Sequence, residues 1–208
     1  AYASEAARIA TALDKAIGLR SPFGRIMLPA PVGFGVADNP DGPIVNLSYW
    51  VFPAFDRLKT VAPGVDWAGY AASGHTLLKA ARFGPTGLPT DWVALGSGKP
   101  APAEKFSKEF GYNAVRLPLY LAWAGQISRD NLQPFVAHYE KNNLIAHVYD
   151  VATASNTQEF GDPGYNSLFA LAKCALDETP IPVGLRSVSF NRYYSATLHM
   201  LALATARL

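Results

Sequence analysis

Helical periodicity that keeps breaking against proline and glycine is the feature of this sequence that most constrains its fold. Between Tyr2 and Ile17, the residues Ala6, Ile9, Ala10, Leu13 and Ile17 recur at the spacing of one helix face, and Gly18 follows as a C-terminal stop. Tyr49–Leu58 reads as a loop entering a helix. Asp66 is placed to cap a helix from Trp67 to Arg82, with Tyr70, Leu77, Leu78 and Ala81 on one face. A helix from Asn113 to about Ala124 is expected to be kinked or delayed by Pro118, and Ser128 caps another that runs to about Asn142. Pro163 opens a helix to about Leu176, and a last one runs from Asn191 or Arg192 to Ala206. Arg25–Val36 reads as two short extended segments, a small β-hairpin. Asp91–Leu95 and Ala146–Ala152 are short extended pieces, and residues 100–105 are irregular.

Seven helices joined by uneven connections suit helical hairpins packed around an axis, with the functional loops at one end. A four-helix bundle has shorter loops. The 16 Pro and 17 Gly among 208 residues supply those connections, and no composition break divides the chain, so residues 1–208 are expected to form a single domain.

Composition removes several function classes. Half of the residues are hydrophobic and 16% are charged, which excludes a disordered chain. The net charge of +2 comes from scattered Lys and Arg, so no basic footprint for nucleic acid exists. No run reaches the roughly 20 apolar residues of a membrane span. Cys174 sits in an apolar run and reads as a small core residue. His75, His138, His147 and His199 lie on separate elements without ligand spacing and read as surface or core-edge residues, so neither metal nor cofactor is expected. Neither a Gly-x-Ser-x-Gly elbow nor a phosphate loop occurs. The chain opens inside a helical pattern, with no signal-peptide pattern, and is expected to be the later part of a longer product.

Carbohydrate fits the remaining polar and aromatic residues best. Sugar rings offer flat C–H faces and a rim of hydroxyls, which suit Trp and Tyr beside Asp, Asn and Arg. That mix recurs at loop–helix junctions, in Asn46-Leu-Ser-Tyr-Trp50, Thr90-Asp-Trp92, Phe110-Gly-Tyr-Asn-Ala-Val-Arg116 and Asn191-Arg-Tyr-Tyr194. Asn113 and Arg116, three residues apart, share a helix face near a partially positive N-terminus.

At these residues the sequence resembles glycoside hydrolase family 8, the bacterial endo-β-1,4-glucanase type. Asn46-Leu-Ser-Tyr-Trp-Val-Phe-Pro-Ala-Phe55 is similar to its Asn-x-Ser-Tyr segment, and Gly87-Leu-Pro-Thr-Asp-Trp92 to its Gly-Leu-x-x-Asp-Trp segment. Phe110-Gly-Tyr-Asn-Ala-Val-Arg-Leu-Pro-Leu-Tyr120 is similar to its Tyr-Asp-Ala-x-Arg-x-Pro signature. The resemblance implies an all-α fold, an (α/α)6 barrel of which this chain holds the C-terminal portion. It implies inverting, endo-acting hydrolysis of a cellulose-like β-1,4-glucan, with chitosan, xylan and mixed-linkage glucan as related substrates. An inverting enzyme needs a carboxylic acid and a base about 6.5–9.5 Å apart. Tyr49, Trp50, Trp92, Tyr112, Tyr193 and Tyr194 would then stack on or bond sugars, and Arg116 would orient Asn113. Periplasmic or secreted location follows from the same likeness.

Two departures from the family pattern matter. Its acid motif, Ser-Glu-Gly, is absent, so the acid is expected from an N-terminal fragment that completes the barrel and covers its apolar seam. Where the family carries its base Asp, this chain has Asn113. Another carboxylate acts as base (Asp91, Glu159 and Asp162 are local candidates), or the Asn is an engineered replacement, or the protein binds glucan without turnover.

Overall fold

A computed structural model describes residues 2–207, and the chain separates into two compact units. The first comprises the chain up to Arg82 together with Pro89–Lys108; the second comprises Phe83–Leu88 and the chain from Glu109 onward. Seven α-helices occur among the described residues.

In the first unit, α1 (Tyr2–Ile17) runs directly into the hairpin β1 (Gly18–Ser21) and β2 (Gly24–Met27). The expected hairpin over Arg25–Val36 is therefore displaced toward the N-terminus. Ser21 explains part of this: its Oγ accepts from Phe23 N at 3.1 Å and donates to Gly24 O at 3.1 Å, closing a tight turn. Between residues 29 and 36 only bends and the start of a turn follow, and Pro29 and Pro31 lack the backbone donors a ladder needs. Gly18 is not a left-handed helix cap. It is glycine because a Cβ there would strike the Tyr70 hydroxyl and lie 2.5 Å from Asp14 O. That crowding reflects a polar knot, in which Asp14 Oδ1 accepts from Arg25 Nη2 and Tyr70 Oη, both at 2.6 Å. Burial alone would raise the Asp14 pKa, but the bonds from Tyr70 and Arg25 outweigh it and hold the carboxyl below its usual range. The knot ties α1 and the hairpin to α3.

Helix α2 (Phe52–Val61) starts with Pro53 in its first turn, and α3 (Trp67–Ala80) is capped by Asp66, whose Oδ1 accepts from Gly69 N at 2.8 Å. Three short antiparallel strands, β3 (Ile44–Val45), β4 (Val93–Ala94) and β5 (Ala101–Pro102), pair in that order. Thus part of the stretch read as irregular is a strand; Pro102 is tolerated because β5 is an edge.

In the second unit, β6 (Glu109–Phe110), β7 (His147–Asp150) and β8 (Ser155–Glu159) form another antiparallel sheet, with a bulge at Val148/Tyr149. A 3-10 turn, Ala114–Arg116, leads into α4 (Leu117–Trp123). Pro118 therefore lies in the first turn of a helix, where its missing N–H costs nothing; of the two expected effects it delays the α-helix start to Leu117 and does not kink the helix. Helix α5 (Arg129–Lys141) carries the Ser128 cap, with Asn131 N donating to Ser128 Oγ at 3.2 Å. Helices α6 (Pro163–Asp177) and α7 (Tyr193–Ala206) complete the unit. They approach so closely that a Cβ on Gly164 would overlap Ser195 O and lie 2.5 Å from Ser195 Oγ.

The core of this unit is aromatic: Phe110, Phe135, His138, Tyr139, Tyr149 and Phe169 are all buried. His138 and His199 are interior residues and not surface or core-edge ones, bonded to His147 O at 3.3 Å and Leu185 O at 2.8 Å. Burial holds the His138 pKa below its usual value, and burial pushes that of Tyr139 up to about 12. Cys174 is half-buried, on the margin of the core and not within it.

Candidate functional site

In the first unit, Asn46 shapes the surface. Its backbone is extended, and its Oδ1 accepts from Ser48 N at 3.1 Å and Ser48 Oγ at 2.7 Å, capping the 3-10 turn Leu47–Tyr49. The turn sends successive aromatics in opposite directions. Tyr49 emerges 41% exposed, while Trp50 is fully buried. The Trp50 indole lies against Gly74 of α3, where a Cβ would come within 2.5 Å of Trp50 Cδ1, and its Nε1 donates to Tyr70 O at 2.9 Å. Trp50 is therefore a core anchor and not the sugar platform the sequence implied. Asn46 Nδ2 is buried without a hydrogen-bond partner.

Tyr49 meets Trp92 edge-to-face at 6.4 Å. Trp92 in turn stacks on Phe34 at 5.4 Å and Phe106 at 4.8 Å, above a small core of Ile44, Ala94 and Ala103. Thr90 is buried and donates to Trp92 O at 2.8 Å, which fixes the loop that carries half-buried Asp91 and Trp92. The result is a supported aromatic ledge with a carboxylate beside it. Phe34 and Phe106 did not stand out in the sequence, because they come from irregular segments without periodicity.

In the second unit, Tyr112 is 41% exposed and is held edge-on by Phe160 at 4.9 Å and Tyr165 at 5.6 Å. Gln158 Nε2 donates to its hydroxyl at 3.3 Å, and Tyr194 Oη donates to its carbonyl at 2.8 Å. Tyr194 is thus joined to Tyr112 across a long sequence separation, whereas the neighbouring Tyr193 is 88% exposed and supplies surface, not packed wall. Arg116 folds back onto Asn113: its Nη2 donates to Asn113 Oδ1 at 3.0 Å and its Nε to Asn113 O at 3.2 Å. The three-residue spacing produces this clamp even though the first turn is 3-10. The clamp fixes the amide so that its oxygen faces the guanidinium.

Phe160, Tyr165, Asp162 and Arg192 extend this cluster. Phe160 and Tyr165 stack at 4.9 Å, and Arg192 Nε lies 3.6 Å from Asp162 Oδ2. Burial, together with the nearby Tyr112, Tyr194 and Asp162 groups, pushes the Tyr165 hydroxyl up to about 12, so it remains a proton-bearing donor at neutral pH. The segment Phe160-Gly-Asp-Pro-Gly-Tyr165 has the same aromatic-plus-polar mix at a helix start as the other stretches, and that was the available signal.

No group of three or more His, Cys, Asp or Glu side chains among the described residues is placed to hold a metal ion. No helix among them is long and apolar enough to cross a membrane.

The fold and the junction tyrosines fit a carbohydrate-active class, and the family match shows it: the chain belongs to Glycosyl hydrolases family 8, whose family profile matches residues 1–207. It is 29% identical over 190 residues to a probable endoglucanase of Novacetimonas hansenii, covering 85% of this chain and 51% of that protein. It is 32% identical over 123 residues to an endoglucanase of Cellulomonas uda, covering 59% of this chain and 33% of that protein. Among solved structures it is similar to the endo-β-1,4-glucanase CMCax from Acetobacter xylinum, with a TM-score of 0.83 and 26% identity, over 99% of this chain and 64% of that one. The fold class is accordingly the all-α, (α/α)6-barrel class of the family. The chain spans about half the length of the Novacetimonas relative.

Proposed function

We propose that this chain is the C-terminal portion of one catalytic domain in an endo-acting, inverting β-1,4-glucanase that cuts cellulose-like chains. The observation that carries the reading is the Tyr112–Asn113–Arg116 constellation: an exposed tyrosine with edge-on support, next to a clamped amide at a helix start. Tyr112 and Tyr194 offer one contact surface for sugar; Tyr49 and Trp92 offer another, with Asp91 placed to bond a hydroxyl. In this reading the general acid comes from an N-terminal segment that also covers the apolar face left by this portion of the fold. The substrate is a polysaccharide and the site works outside the cytoplasm, in the periplasm or beyond the cell. The family and the printed activities of its similar members support the polysaccharide substrate; the location is part of the proposal, because a cellulose-like polymer is met outside the cytoplasm.

A second reading has one specific observation in its favour. Asn113 cannot accept a proton, so a homologue that holds glucan without cutting it would carry the same surface. A reducing-sugar assay of the intact protein on carboxymethylcellulose, alongside cellopentaose binding, decides between them. New reducing ends support the hydrolase; binding without turnover supports the glucan-binding homologue; neither result leaves the polysaccharide reading without support.

A further inference from the structure

Water must be activated by a group that can take a proton, and Asn113 cannot. Most carboxylates of the second unit are committed elsewhere. Glu140 and Asp177 both pair with Lys173, at 2.5 and 2.9 Å. Asp150 Oδ1 accepts from Ala152 N at 2.7 Å and Thr153 N at 3.0 Å, closing the turn between β7 and β8. Glu109 accepts from Thr157 at 3.1 Å, and Glu159 is 61% exposed beside His147 on a strand. Asp130 and Glu178 are exposed at helix ends.

Asp162 differs from all of these. Its side chain is only 11% exposed. It occupies the N-cap position of α6 with the right extended backbone, φ −115° and ψ 141°, yet its side chain makes no capping hydrogen bond. Asp is among the residues best suited to that bond, so the carboxylate is turned to something else. The helix it heads packs against α4 and against the 3-10 turn that follows Asn113. One turn into α6, Tyr165 touches Tyr112, the residue before Asn113, at 5.6 Å. Asp162 and Asn113 therefore stand at the starts of packed elements, α6 and the 3-10 turn, with Tyr165 and Tyr112 in ring contact between them. Arg192 faces the carboxylate at 3.6 Å, too long for a close hydrogen bond, so it orients the group by charge while leaving lone pairs for water.

We infer that Asp162 is the water-activating base, with the Asn113 amide positioning the same water. This rests on the hydrolase reading above. In the step, a water oxygen forms a bond to the anomeric carbon while Asp162 takes one of its protons. The bond from that carbon to the leaving oxygen breaks with its electron pair, and the leaving oxygen takes a proton from a carboxylic acid contributed by the rest of the protein. Asp162 returns its proton to solvent and the acid is reprotonated.

The test is Asp162→Asn in the intact protein, nearly the same in shape, assayed for kcat and KM on cellopentaose. Cellopentaose affinity is measured by calorimetry and the unfolding midpoint is recorded alongside. The expected result is a kcat loss of about 10²–10⁴-fold, the usual contribution of general base catalysis. Affinity and midpoint stay near the unsubstituted values, and the limb of the pH profile that reports an ionising base disappears. A kcat within about threefold of the unsubstituted protein, an order-of-magnitude bound set well below that contribution, overturns the assignment. So does a loss of turnover matched by equal loss of binding or of folding, which would make Asp162 structural. No turnover by the unsubstituted protein refutes the hydrolase reading itself, and the inference with it.

Discussion

Trp50 separates core from ligand surface most cleanly, because sequence likeness placed it at the sugar and the structure places it inside. Its ring is fully buried against Gly74, and its Nε1–H is satisfied by Tyr70 O. Truncation to Ala empties a site of aromatic size, and such changes cost about 3–5 kcal/mol. Phe keeps most of the apolar area and loses one hydrogen bond. The Tyr70 carbonyl still accepts from Ser73 Oγ at 2.9 Å, so it is not orphaned. Trp50→Phe should therefore cost only about 1–2 kcal/mol, combining a typical hydrogen bond with a modest packing change. In a domain of this size that corresponds to a drop of roughly 2–8 °C in Tm. The assay pairs urea unfolding with cellopentaose calorimetry on Trp50→Phe. The midpoint should fall and the Kd should stay within about twofold, under 0.5 kcal/mol. A weakened Kd with an unchanged midpoint would refute the burial argument and return Trp50 to the ligand surface.

Tyr112→Ala should differ from Trp50→Phe in its binding: about fivefold or greater loss of cellopentaose affinity, near 1 kcal/mol, together with a lower unfolding midpoint from the lost ring contacts with Phe160 and Tyr165. Asp14→Asn should destabilise at pH 7, and the difference should shrink in acid. The Asp14 pKa is depressed in the fold, so its contribution is complete above the unfolded value near 4 and is lost as pH falls through the lower folded value; urea midpoints between pH 7 and pH 2 check this. Gly164→Ala forces apart α6 and α7 and should cost about 1–3 kcal/mol, read by thermal unfolding; an unchanged Tm would contradict the close approach at Ser195.

Most of the helices were legible because periodicity and caps agreed. Asp66 and Ser128 accept the bonds their positions promised, and α1 ends at Ile17. What was not legible depended on the third dimension. Pro118 left a kink and a delayed start both open, because the 3-10 turn before it hides where the helix begins. The hairpin was misplaced because two short strands set by a Ser turn leave almost no alternation to read. At the candidate site, adjacent Tyr49 and Trp50 look equivalent in sequence, and only the turn capped by Asn46 decides which one faces solvent. The Asn113–Arg116 clamp followed from spacing alone, whereas Phe160, Tyr165 and Arg192 reach Tyr112 and Asp162 only through the packing of α6 and the loop before α7.

Inverting cleavage of a β-1,4-glucan leaves a chemical signature that binding alone cannot produce. Proton NMR of cellopentaose mixed with the intact protein, followed from the first minutes, reads the anomer formed at the new reducing end. The account predicts that the α-anomer appears first and then drifts toward its mutarotation equilibrium. Early β-anomer, or a spectrum in which no new reducing end grows in, would contradict it.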